Sequence, residues 1–149
     1  MDFKEDLNIG EGVEIRFAEK LVELGRHKVI HKALGNFKGY DLLGDLTTTY
    51  EVKFDRMAKK TGNMAFEYRF RGAKSGLAST EAQYWVQYDG VYYFVFLTAA
   101  LKDWLRMHME KGNLRRPPNC GDGSECVLVP SASFASQTFC EMIPDDRSR

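Results

Sequence analysis

The chain has 149 residues, 44% of them hydrophobic and 28% charged, and a formal net charge of zero. That length fits one domain, residues 1–149, with a single core and one site, and the balanced composition excludes a disordered chain or a long coiled coil. Zero net charge excludes a protein that coats nucleic acid through bulk electrostatics, although it leaves room for a local basic patch.

The opening MDFKEDLNIGEG is acidic and polar, where a secretory signal needs a basic start and an apolar run. No stretch is apolar for long enough to span a bilayer, so a cytoplasmic protein with no membrane partner is expected. From Gly12 to Gly25, Val13, Phe17, Leu21 and Leu24 recur at helical spacing, with Gly25 as the stop. Lys28 to Ala33 predicts a first strand, GNFKG a turn, and Tyr40 to Leu43 a second strand.

The third strand, TTYEVKFD at 48–55, alternates Tyr50, Val52 and Phe54 with Thr49, Glu51, Lys53 and Asp55. Successive side chains point to opposite faces, so one face is core and the other is charged. Two readings compete: an edge strand with a solvated face, or an acid and a cation gathered for chemistry.

DRMAKKTGN is a polar, basic connection, MAFEYRF a strand with Ala65, Glu67 and Arg69 on one face, and GAKSG a loop. Thr80 predicts the N-cap of a helix holding Ala82, Tyr84, Trp85 and Val86 and closed by Asp89-Gly90. VYYFVFL reads as a buried strand, and Thr98 as the cap of a helix ended by Gly112. RRPPNCGDGSE is loop, and VLVP and TFCEMI add short strands. The order predicts an α/β domain with a mixed central β-sheet flanked by helices, in which residues 64–97 form a strand-helix-strand crossover. Cys120, Cys126 and Cys140, odd in number and late in the chain, suit reduced thiols, and with His108 they match no zinc spacing.

Asp41, in GYDL, joins the charged face only under one condition. A two-residue hairpin loop at Gly44-Asp45 places it on the Val52 face, whereas an odd-length loop or a bulge brings it to the face of Glu51 and Lys53. Two carboxylates on adjacent strands repel unless a cation lies between them, and hard divalent cations with oxygen ligands are the usual answer. Lys53, about 6.6 Å along the strand from Glu51, could then face a phosphate or water at that cation.

Asp41, nine intervening residues, then Glu51-Val52-Lys53 resembles the D…ExK signature of the PD-(D/E)XK nuclease superfamily, with Tyr40 in place of the motif's proline. The run EVKFDRMAKKTGNMAFEY, continuing to SGLASTEAQYWV, is similar to small phage-type and Holliday-junction-resolvase-like members over roughly residues 10–130. The resemblance implies a restriction-endonuclease-like core and a DNA endonuclease using Mg²⁺ or Mn²⁺, cytoplasmic whether cellular or phage-encoded. It implies Asp41, Glu51, the Val52 carbonyl and Glu14, from the GEGVE match, as metal ligands, with Lys53 as the charged helper. Glu19 and Glu23 remain alternatives to Glu14, and a homodimer would serve cutting of both strands.

DNA as partner draws on local charge. Residues 53–74 hold seven basic side chains against Asp55 and Glu67. Besides Lys53 these are Arg56, Lys59, Lys60, Arg69, Arg71 and Lys74, which suit phosphate contacts, and Arg115-Arg116 could add another. The rivals are a non-catalytic DNA-binding or assembly module keeping the same fold, and a structural protein with a charged edge strand.

Overall fold

The computed structural model describes residues 3–33, 39–117, 120 and 123–146, with side chains from Gly10 onward apart from Leu46. Most of the GNFKG turn and part of the RRPPNCGDGSE loop lie outside the described residues. The molecule is mixed α/β. Helix α1 (Phe3–Glu23) leads into strands β1 (His31–Lys32), β2 (Leu42–Leu43) and β3 (Thr49–Phe54). A short α2 (Ala58–Thr61) precedes β4 (Asn63–Phe70), β5 (Ala73–Lys74), β6 (Tyr84–Tyr88) and β7 (Tyr92–Leu97). Helix α3 (Thr98–Glu110), β8 (Ser124–Pro130) and β9 (Cys140–Pro144) complete the order. Among the described residues no helix is long and apolar enough to cross a membrane.

Two sheets form. The larger runs β1-β2-β3-β6-β7-β9, with β3 and β6 parallel and the other neighbours antiparallel; the smaller runs β5-β4-β8. Val13, Phe17 and Leu21 of α1 cover one face of the larger sheet, against Tyr50, Val86, Tyr88 and Tyr93. The other face, carrying Trp85, Phe94 and Phe96, packs against Met64 and Phe66 of β4, Val127 and Val129 of β8, and Leu101 and Leu105 of α3. A sheet buried on both faces needs apolar side chains at nearly every position of its central strands.

That demand explains the main correction to the sequence reading. Residues 84–88 are strand β6, where a helix is expected, because Trp85 and Gln87 enter one core while Val86 and Tyr88 enter the other. Aromatic and β-branched residues fit such a position, and burial on both faces erases the alternation that would have marked a strand. Asp89-Gly90 turns a hairpin into β7, with Gly90 at φ 100° and Asp89 Oδ1 accepting from the amides of Val91 and Tyr92 at 2.8 and 2.7 Å. The crossover is therefore from β3 to its parallel neighbour β6, and it passes through the second sheet rather than a helix.

Smaller corrections have local causes. GAKSG is not all loop: Arg71 and Gly72, both at positive φ (48° and 81°), make the tight turn that pairs β5 with β4. The basic connection contains the single turn α2, stopped by Gly62 at φ 77°. Thr98 begins α3 as its first residue without capping it, and its buried hydroxyl has no hydrogen-bond partner among the described residues. Leu24 is exposed, since α1 ends before it: Gly25 N–H donates to Val22 O and Arg26 N–H to Leu21 O, each at 2.9 Å. Cys120 and Cys126 are joined as a disulfide, against the expectation of reduced thiols, and Cys140 is free. Burial pushes the Cys140 thiol up to about 12.

Asp55, a strand-end charge in sequence, is buried and holds the two sheets together. Its carboxylate accepts from Ala58 N–H (3.2 Å), Ala65 N–H (2.8 Å) and the Gln87 amide (3.0 Å). Gln87 also donates to Ala65 O (3.0 Å) and accepts from the Trp85 indole (2.8 Å). Replacing Asp55 by Ala strands three donors, so Asp55→Ala is expected to lower the unfolding free energy by about 3 kcal/mol in urea titrations. A loss below about 1 kcal/mol would show that this network is not what joins the sheets.

Candidate active site

The β2–β3 connection sets the geometry. Leu43 pairs with Thr49 and Leu42 with Tyr50, so five residues, Gly44 to Thr48, lie between the paired positions. The loop is odd, and Asp41, which directly precedes the ladder, stands beside the charged face: its carboxyl adds to burial in raising that of Glu51 and lines the same cavity. Asp41 N–H donates to Tyr50 O at 2.9 Å, and Asp41 Oδ2 accepts from Val52 N–H at 2.8 Å. The N–H and C=O of a strand residue point to the same edge, so the Val52 carbonyl turns toward the side where Asp41 stands.

The loop is pinned by the segment that joins α1 to β1. Asp45 N–H donates to His27 Nδ1 at 3.0 Å, which makes this nitrogen the acceptor and leaves Nε2 to donate to the Tyr50 hydroxyl at 2.6 Å. The Asp45 carboxylate accepts from the amides of Lys28 and Val29 at 2.8 and 3.3 Å. Gly44 admits the His27 ring, since a Cβ there would lie 2.6 Å from it. His27 is thus structural, His31 is exposed on β1, and the His108 ring stacks near Trp104 with centroids 4.2 Å apart.

Three carboxylates share the site's electrostatics. Burial is the largest cause raising each, and the neighbouring carboxylates add to it for two of them: Glu51 and Glu14 are both pushed up to about 7. Asp41 is raised by burial, partly opposed by the Val52 amide and Lys32. Thr80, read in sequence as a helix cap, instead donates to Glu51 Oε1 at 2.8 Å and fixes its rotamer. Lys32 lies 3.6 Å from both Glu14 and Glu11. Glu19 and Glu23 are exposed on α1, so Glu14 is the glutamate of that helix which the fold brings to Asp41 and Glu51.

Two cavities meet at Glu51 and Gly76. One, of about 660 Å³, is lined by Asp41, Glu51, Lys74, Ser75 and Glu81; the other, of about 250 Å³, by Glu51, Lys53, Glu67, Trp85 and the Cys120–Cys126 disulfide. Gly76, at φ 50°, lets the connecting segment lie against β4, where a Cβ would come within 2.5 Å of Glu67 O. Lys53 is exposed, with no ion-pair partner among the described residues.

The other basic candidates are not gathered. Lys74 joins the larger cavity, whereas Arg69 faces Glu125 at 3.7 Å and Arg71 lies over the Phe70 ring at 5.1 Å. Arg56 lies over Phe54 at 5.8 Å, and Lys59 and Lys60 stand exposed in α2 beyond the Asp55 end of β3. Glu67 accepts from the Ser124 hydroxyl at 2.8 Å.

An all-oxygen set of this kind has the chemistry for Mg²⁺ or Mn²⁺ and not for a soft metal. Asp41 Oδ1 and Glu51 Oε2 have no hydrogen bond among the described residues, and Ser75, in the larger cavity, has a buried hydroxyl without a partner. The carboxylates are nevertheless not drawn together as ligands: among the described residues no group of three or more His, Cys, Asp or Glu is arranged to hold a metal ion. Glu14 is held through one oxygen by the Lys32 ammonium, 3.6 Å away.

These shifts carry a pH dependence. Glu14 and Glu51 titrate near 7 when folded and near the ordinary 4.5 when unfolded, so the folded state holds more protons between those values. Stability attributable to them is full below about 4.5 and falls as pH rises through 7. The melting temperature is expected to drop between pH 5 and pH 8, with Glu51→Gln flattening the slope; a melting temperature that rises over this window would contradict the grouping.

No protein-family model, no curated protein and no solved structure matches this chain.

Proposed function

We propose that this chain is a divalent-metal-dependent DNA endonuclease of the PD-(D/E)XK type, with a restriction-endonuclease-like core. The observation that carries the reading is the cavity that Asp41 and Glu51 line together beyond the odd β2–β3 loop, with Lys53 two residues further along the face of Glu51. Further support comes from α1 followed by three strands, the parallel β3–β6 pair, and Glu14 coupled to both acids. The passage from β3 to β6 through a second sheet is a departure from the expected order.

In this reading Asp41, Glu51, the Val52 carbonyl and Glu14 hold Mg²⁺ or Mn²⁺. When bound, the cation lowers the pKa of its water and polarises the phosphoryl oxygen. The chain's own residues do the rest. Asp41, fixed by the Val52 amide, and Glu51, fixed by Thr80, present their remaining oxygens from a rigid pair of strands. Lys53 supplies a positive charge to the phosphate as negative charge develops on it. Lys74 and the exposed Lys59 and Lys60 provide backbone contacts that position DNA without reading its sequence. A homodimer acting in the cytoplasm would cut both strands.

A second reading, a non-catalytic DNA-binding or assembly module, is favoured by one observation: Glu14 is committed to Lys32, and the acids do not converge. Metal linkage separates the two, because an ion bound only by the folded state raises the melting temperature with its concentration.

The deciding experiment is nicking of supercoiled plasmid with Mg²⁺ or Mn²⁺. The wild-type chain is expected to cut, and Asp41→Asn, Glu51→Ala and Lys53→Ala each to lose about a hundredfold or more in rate while remaining folded. Undiminished cutting by a variant removes that residue from the site. DNA binding without cutting, and without metal-dependent stabilisation, leaves the binding module.

A further inference from the structure

A third cavity, of about 520 Å³, lies between α3 and the smaller sheet. Its floor is apolar, with Phe66, Leu105 and Val127 buried there and the half-buried Tyr68 at the margin of the core. Its rim holds four cations from three parts of the chain: Lys74 of β5, Lys102 and Arg106 of α3, and Arg116 beyond it. Glu67 and Glu110 are the acids beside them, and Arg106 lies 3.3 Å from Asp103.

An apolar, aromatic floor ringed by cations on several sides suits a ligand with a flat apolar body and phosphates on both sides of it. A fatty acid would need positive charge at one end only. Lys74 lines this cavity and also the one holding Asp41 and Glu51, so a phosphate chain leaving the rim at Lys74 arrives at the carboxylates.

We propose that this cavity takes one unpaired nucleotide of the bound strand, its base stacked on Tyr68 and its flanking phosphates on Lys74, Lys102 and Arg116. The inference rests on the nuclease reading for the identity of the ligand, and it narrows the substrate to DNA with a single-stranded segment next to the site of cutting. Base–aromatic stacking of this kind is sequence-tolerant, because every base has a π-face.

The test is fluorescence anisotropy without divalent metal, comparing a labelled blunt duplex, the same duplex with a short thymidine tail, and one with an abasic tail. The thymidine tail is expected to tighten binding about tenfold over blunt duplex, as one stacked base would. Tyr68→Ala should remove the advantage of thymidine over abasic tail, and Lys102→Glu with Arg116→Glu should bring the ratio of tailed to blunt-duplex affinity, measured within that variant, down to one. No gain from the tail, or a gain that survives both variants, overturns the proposal. So does displacement of a fluorescent fatty acid from the cavity without any tail effect, which would give the cavity to a lipid. Plasmid cutting by a protein indifferent to tails defeats this inference and leaves the nuclease standing. A tail effect that depends on Tyr68 in a protein that cuts nothing supports the cavity and defeats the nuclease.

Discussion

The side-chain pair Asp55 and Gln87 holds the architecture together. Along residues 63–67 one edge of β4 is paired with β8, and at Ala65 the other edge meets no strand. Instead the Asp55 carboxylate takes the Ala65 amide and the Gln87 amide gives to its carbonyl. An unpaired strand edge buried in a protein is costly, and here two side chains stand in for the missing strand. Because Asp55 directly follows β3 and Gln87 lies in β6, the smaller sheet is fastened to the parallel pair of strands, one of which carries Glu51.

The site sits directly above that fastening, and its electrostatics follow from its position. Carboxylates that are more than half buried among packed elements lose water without gaining many donors, which is why burial dominates the upward shift of all three. The donors they have, the Val52 amide, the Thr80 hydroxyl and Lys32, fix one oxygen of each acid and leave the like charges to repel. Such an arrangement is destabilised when ionised and eased by a cation.

Much of this could be read in the residues. The charged face of β3, the requirement for odd parity at Asp41, the opening helix and the closing one are all carried by local periodicity and spacing, and local patterns survive into the fold. What could not be read depended on partners far away in sequence. Strand β6 hides as a helix because both of its faces are covered, and nothing within residues 80–90 reports that. The second sheet was invisible because β8, the partner of β4, lies across α3. Thr80 as the partner of Glu51, and Lys32 as that of Glu14, follow only once strands are placed side by side. The Cys120–Cys126 pairing shows that an odd cysteine count does not argue against a single bridge.

The loop from Gly44 to Thr48 has a consequence of another kind. Side chains on a strand have only two orientations, so its length acts on the site as parity and not as a graded quantity. Adding or removing a single codon there would leave composition, charge and almost every core contact as they are, yet either the β2–β3 ladder buckles or Asp41 passes to the far face. The clamp of His27 and Asp45 on that loop holds its count of residues as much as its shape. For this chain the sequence change most damaging to the acidic pair need not touch an acid at all: it is a frame-preserving insertion in a five-residue turn.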